Sequence, residues 1–286
     1  MFVTLALLLL VVPPPPSYVA EHAPATVGVA AVNLETGKAV RIRAGERFPM
    51  GSVFKFPVAL TFLRLVDQKK FNLDAKVTIP VSSFGPGFSP IRDHANGKPV
   101  TMSYREIVAA MLRDSDNTAV DFLLPKIGGP AAVTKRMREL GVDGIRVDRS
   151  EREMANDLAK EGGAARYAVD PRDTATPDAM VALLRKFQRR EDGLSATSHA
   201  LAMKLMLDST TGAKRIKWSL PTGALLAHKT GTMPGTANDV GIITSPDGRH
   251  HILIAIFTKA GTVDDLEPRE RAIAEMAEAV YRTLLE

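Results

Sequence analysis

The chain has 286 residues, 45% of them hydrophobic and 24% charged. It is long enough to bury a core without a disulfide or metal staple, and too ordinary in composition to be disordered or fibrous. It contains no cysteine, which excludes disulfides, iron–sulfur clusters, thiolate zinc sites and thiol nucleophiles. The net charge of +5 is spread thinly, its densest cluster being Lys214-Arg215 with Lys217, so a solvated basic surface and no nucleic-acid partner are expected.

Residues 2–12 are apolar apart from Thr4, too short a run to span a membrane and the right length for a signal-peptide core. The four prolines at 13–16 stop any helix there. A signal over 1–20 is therefore expected, with Ala20 and Ala25 as cleavage candidates, although no basic residues precede the core. Export to the periplasm or the medium follows, with no membrane anchor left after processing.

Residues 27–33 and 39–44 are β-rich and separated by Leu34-Glu35-Thr36-Gly37-Lys38, which predicts an antiparallel hairpin. A mostly helical middle follows. Residues 53–66 are apolar all round, as in a helix buried at the centre of a domain. Ser103 and Glu106 form a capping box ahead of Ile107, Val108 and Met111, and Pro177 follows Thr176 at the first position of a further helix. Helices are also expected at 130–139 and 198–207. Strands return at 225–230, 239–244 and 251–258, before an amphipathic closing helix over 266–285.

Strands from both ends of the chain predict an α/β (α+β) fold: a mostly antiparallel five-stranded sheet flanked by helices, with an all-helical subdomain inserted. A single domain over 26–286 is expected, its α/β part at 26–50 and 208–286 and its helical part at 51–207. The seam between them is a natural cleft.

Three short elements carry chemistry. Ser52 opens the buried helix and Lys55 lies one turn on, on the same face. A serine hydroxyl needs a neighbouring base to become a nucleophile, and a lysine serves if burial or charge lowers its pKa. The helix start also aims free backbone N–H groups at the reacting centre. Ser115-Asp116-Asn117 falls at a turn between two helices, able to project a hydroxyl and an amide. Lys229-Thr230-Gly231-Thr232 falls on a strand at the sheet edge, where Gly231 lets ligand backbone approach. The six histidines form no H-E-x-x-H pattern, so neither metal nor cofactor is expected.

In this order the three elements resemble the class A serine β-lactamases, whose S-x-x-K, S-D-N and K-T-G set they match. The resemblance covers 26–286 and extends to Glu46-Arg47-Phe48-Pro49-Met50, to Thr210-Thr211-Gly212 and to Arg215-Ile216. It implies hydrolysis of penicillins and cephalosporins and resistance to them. It further implies Ser52 as acylated nucleophile, Lys55 as its proton partner and Ser115 as a relay to the departing nitrogen. Asn117 would bind the substrate's side-chain amide, and Lys229, Thr230 and Thr232 its carboxylate, with Gly231 beside them and Arg215 behind. The N–H groups of Ser52 and Thr232 would form the oxyanion hole, Asp116 would shape its turn, and Phe88 would line the cleft entrance or pack in the core. The substrate would be the only partner and the chain a monomer.

Arg149-Ser150-Glu151 and Arg172-Asp173-Thr174 resemble the two ends of the family's Ω-loop. This implies Glu151 as the base that activates the deacylating water, with Glu153 as competitor and Arg149 with Asp173 as the clamp. Without such a base, a D-Ala-D-Ala peptidase or a penicillin-binding sensor is the alternative; an α/β-hydrolase is disfavoured because no G-x-S-x-G elbow occurs. The loop departs from the family pattern at Ala155, where an asparagine usually stands, and in an extra Gly162-Gly163-Ala164-Ala165 stretch expected to be flexible. The added length resembles an extended-loop branch and implies activity on bulky cephalosporins. The family's amino-terminal helix has no room beside a signal in residues 1–25. Either it is absent, exposing Ile273, Met276 and Val280, or the chain starts elsewhere.

Overall fold

The computed structural model describes residues 14–160, 162–259 and 265–285; the expected signal core at 2–12 lies outside them. Five strands, β1 (Thr26–Asn33), β2 (Ala39–Ile42), β3 (Leu225–Met233), β4 (Thr236–Thr244) and β5 (His251–Lys259), form one antiparallel sheet in the order β2-β1-β5-β4-β3. The two ends of the chain meet at its centre, where Thr26 lies opposite Lys259 and Asn33 opposite Ile252. The hairpin closes as expected, with Val32 opposite Ala39.

Successive side chains of a strand point to opposite faces, so these strands feed two cores. Val27, Val29 and Ala31 pack with Ile252, Ile254 and Ile256 beneath the closing helix Leu266–Leu285. Ala30, Val32, Leu253, Ala255 and Phe257 join a larger core built around the helix Lys55–Asp67. Phe56, Val58, Phe62 and Leu63 of that helix are fully buried, each worth about 1.5–3 kcal/mol of removal from water. A 3-10 turn over Gly51–Phe54 leads into it.

The capping box forms: Ser103 Oγ accepts Glu106 N–H at 3.2 Å, and Glu106 Oε2 accepts Ser103 N–H at 2.6 Å. The helix it starts, Tyr104–Leu112, is followed by a turn in which Ser115 has φ +64°. Asp116 then caps Asn117–Leu123.

Two expectations are corrected. A short amino-terminal helix, Pro16–His22, does pack beside the closing helix: Val19 is 5% exposed, and Ile273, Met276 and Val280 are fully buried. The 162–165 stretch is not a flexible excursion either. Gly162 leads directly into a helix, Gly163–Val169, that puts Tyr167 inside. Among the described residues, no helix is long and apolar enough to cross a membrane.

Candidate active site

The 3-10 turn and edge strand β3 touch backbone to backbone. A Cβ on Gly231 would lie 2.2 Å from the Met50 carbonyl and 3.2 Å from Ser52 N, so only glycine permits this approach. The Cβ position of Gly51 likewise lies 3.1 Å from Thr232 N, so the residue before Ser52 abuts the backbone of Thr232.

Beneath Ser52 lies Lys55, with no exposed surface. Its Nζ donates to Ser52 Oγ (2.9 Å), to the Ser115 carbonyl (2.8 Å) and to Asn117 Oδ1 (2.5 Å), and lies 2.9 Å from Glu151 Oε1. Ser52 Oγ in turn donates to Glu151 Oε1 at 3.3 Å. The two charges are buried together, so removing either partner leaves the other unpaired, a loss of about 3–5 kcal/mol. The left-handed backbone at Ser115 turns its hydroxyl toward Lys229, whose Nζ donates to it at 2.8 Å. Lys229 is also without exposed surface. Burial, then the neighbouring Lys55 and Arg215 charges, hold its ammonium well below the usual lysine range.

Asp116 is buried and accepts from Ala119 N, Ile91 N and Ser89 Oγ, fixing the turn; burial pushes its carboxyl up. Asn117 Nδ2 donates to the Pro86 carbonyl. Arg215 lies behind β3, donating to the carbonyls of Gly231 (3.0 Å) and Asn238 (2.8 Å) and to Thr232 Oγ1 (2.6 Å). Thr230 Oγ1 meets Thr211 Oγ1 at 2.7 Å. Phe88 is 58% exposed on the rim, so it is not a core residue. Ser52, Phe88, Ser115, Asn117, Glu151 and Thr232 line one cavity of about 310 Å³.

Glu151 starts the helix Glu151–Leu158, capped by Ser150, and is 4% exposed. Glu153 serves that cap, accepting Ser150 N–H at 2.7 Å, and is exposed, so of the two glutamates only Glu151 reaches Ser52. The clamp closes: Arg149 Nε donates to Asp173 Oδ2 at 2.6 Å, and Asp173 Oδ1 accepts the N–H of Asp148 and of Arg149. Ala155 presents only a methyl group one turn beyond Glu151, and Asn156 is exposed.

Three supports escaped the sequence reading. Asp121 accepts the N–H of Glu151 (2.8 Å) and of Arg152 (3.0 Å), and burial pushes its carboxyl up to about 6. Its spacing of four from Asn117 puts both on one helix face, a signal that was available. Glu270 of the closing helix accepts from Arg215 Nε at 3.1 Å. His228 meets Asp239 at 2.8 Å, and Asp239 accepts Ile216 N–H next to Arg215. Both depend on pairings distant in sequence.

Residues 17–284 match the model of the beta-lactamase enzyme family. The chain is 32% identical over 265 residues to the extended-spectrum beta-lactamase PER-1 of Pseudomonas aeruginosa, covering 90% of this chain and 82% of that one. A beta-lactamase of Chitinophaga pinensis superposes with a TM-score of 0.84 at 33% identity, covering 93% of this chain and 97% of the other. The TLA-3 extended-spectrum beta-lactamase does so at 0.86 and 31%, covering 95% and 97%.

Proposed function

The chain belongs to the beta-lactamase enzyme family, class A, and we propose that it opens the lactam ring of penicillins and cephalosporins by acylating Ser52 and then hydrolysing that ester. The observation that carries this reading is the position of Lys55 Nζ, 2.9 Å from both Ser52 Oγ and Glu151 Oε1.

In the first step Ser52 Oγ attacks the lactam carbonyl while its proton passes to the Lys55–Glu151 pair, both members lying within reach of it. The C–N bond breaks and the nitrogen takes a proton from Ser115. Lys229 replenishes that proton, because its buried ammonium is a readier donor than an exposed lysine. The N–H groups of Ser52 and Thr232 stabilise the oxyanion, each donor worth a factor of roughly 10²–10³. The proton held by the pair then returns to Lys229, so that Glu151 is again a carboxylate; in the second step it takes a proton from water, the hydroxide attacks the ester, and Glu151 passes that proton to Ser52 as product leaves.

Arg215, Lys229, Thr230 and Thr232 receive the substrate carboxylate, and Asn117 its side-chain amide. The helix inserted at Gly163–Val169 supports activity on oxyimino-cephalosporins. Residues 2–12 support export to the periplasm or the medium. The working unit in this reading is a monomer.

Intact-mass spectrometry over time with benzylpenicillin tests the scheme, with Ser52→Ala as the control that forms no adduct. The unmodified chain is expected to return to its free mass as hydrated product accumulates. Glu151→Ala is expected to acylate and stay acylated, deacylation slowing by roughly 10²–10⁴. Rapid steady-state turnover by Glu151→Ala would refute the assignment of the base. A lasting adduct on the unmodified chain would instead mark a penicillin-binding sensor.

A further inference from the structure

We propose that Tyr167 is a positioning residue for the oxyanion hole: from inside the long Arg149–Asp173 loop, its hydroxyl fixes the Met50–Gly51 peptide, the one directly before the peptide that carries the Ser52 N–H.

The first N–H groups of a helical segment have no partner within it. Gly51 opens the 3-10 turn with φ +49° and is buried against β3, so water does not serve its N–H. Tyr167 Oη accepts that N–H at 3.2 Å. The phenol itself is 3% exposed. Burial, with the Asp173 and Glu151 carboxylates nearby, pushes its pKa up, so it is neutral at every pH the enzyme meets.

This bond completes a frame around the two peptides before the nucleophile. Asn238 Nδ2 donates to the carbonyls of Pro49 and Met50 from the sheet side. On the loop side, Met50 N–H donates to the Asp173 carbonyl at 2.9 Å, and Gly51 N–H donates to Tyr167. With carbonyls tied to the sheet and N–H groups tied to the loop, the planes of the Pro49–Met50 and Met50–Gly51 peptides are fixed. The Met50–Gly51 plane is the base from which Gly51, with no Cβ to restrain it, sets where the Ser52 N–H points. The loop therefore does two jobs from two places: Glu151 at its start faces the ester, and Tyr167 within its inserted helix holds the peptide before the oxyanion donor. Glu151 is held independently of Tyr167, by Lys55, Asp121 and the Ser150 cap.

The inference rests on Ser52 being the acylated residue, and the test separates the two. Tyr167→Phe keeps the ring and removes the acceptor. By quenched-flow mass spectrometry with benzylpenicillin, the acylation rate constant is expected to fall about tenfold, part of the 10²–10³ that losing an oxyanion donor outright removes. The deacylation rate constant is expected to fall by a similar factor, because the tetrahedral state of the second step uses the same donors. Val280→Ala, in the core beneath the closing helix, serves as a stability control: it lowers the melting temperature far from the site and is expected to leave both rate constants unchanged. Acylation by Tyr167→Phe within twofold of the unmodified chain, or an equal slowing in Val280→Ala, would overturn the role of Tyr167. Absence of any Ser52 adduct on the unmodified chain would overturn the reading beneath it as well.

Discussion

Asp121 lies four residues beyond Asn117 and holds two successive N–H groups at the start of the Glu151 helix. Its carboxyl is pushed from 3.8 to about 6, by burial first and by the facing Glu151 charge as well. Between those values the folded chain binds more protons than the unfolded one. The stability linked to Asp121 is therefore present below about pH 4 and is lost as pH rises through 6, a change of about 2 kcal/mol for this half-buried group. Urea unfolding of the chain and of Asp121→Asn at pH 4.5 and 7.5 measures it. The variant is expected to gain on the unmodified chain by about that amount at the higher pH, whereas a pH-independent difference would contradict the linkage. At this scale the candidate site was largely legible. Ser52, Lys55, Ser115, Asn117, Lys229 and Thr230 sit in three short motifs, where local backbone geometry already decides their mutual facing. Tyr167 was not, because a hydrogen bond to another segment's backbone leaves no pattern in either segment, and Asp121 shows only its spacing of four from Asn117, which does not say whose N–H groups it holds.

Elements were legible where burial imposed a period. The closing helix runs over Leu266–Leu285, as its amphipathic pattern predicts, and β1 and β5 read as apolar runs because both of their faces are covered. Strand ends were less so. The chain stays in the sheet to Met233 and re-enters it at Thr236, since ladder pairing overrides the breaking tendency of Gly231. The inserted stretch misled most, because two glycines in a row read as flexible while Tyr167, four residues on, has a buried place that pulls the segment into a helix. Deleting residues 162–165 removes about one helical turn before Tyr167. Turnover of an oxyimino-cephalosporin is expected to fall about tenfold further than that of benzylpenicillin, since misplacing a positioned group by an ångström costs up to 10². Parallel steady-state assays measure the ratio, and unchanged or improved cephalosporin turnover would count against a role for the insert.

Across the whole molecule, the sheet separates two cores, and the smaller one is closed at its edge by Pro16–His22. A chain starting at Thr26 loses Val19 from that core and uncovers part of Ile273, Met276 and Val280. Its melting temperature is expected to lie roughly 5–10 °C below that of a chain starting at Pro14, from the loss of one or two side chains' worth of burial. Calorimetry on the two chains measures this, and equal melting temperatures would mean that the helix adds no cover. The sequence by itself determined the fold class, the order of the five sheet strands, the three motifs that line the candidate site and the absence of thiol chemistry. Each of these follows from local periodicity, residue type or spacing within a few positions. Only the tertiary structure decided which glutamate faces Ser52, that the amino-terminal segment covers the closing helix, and that Asp121, Glu270 and Tyr167 brace the site. Those outcomes depend on which distant segments bury each other's unpaired backbone groups and charges, a quantity that no stretch of the chain carries alone.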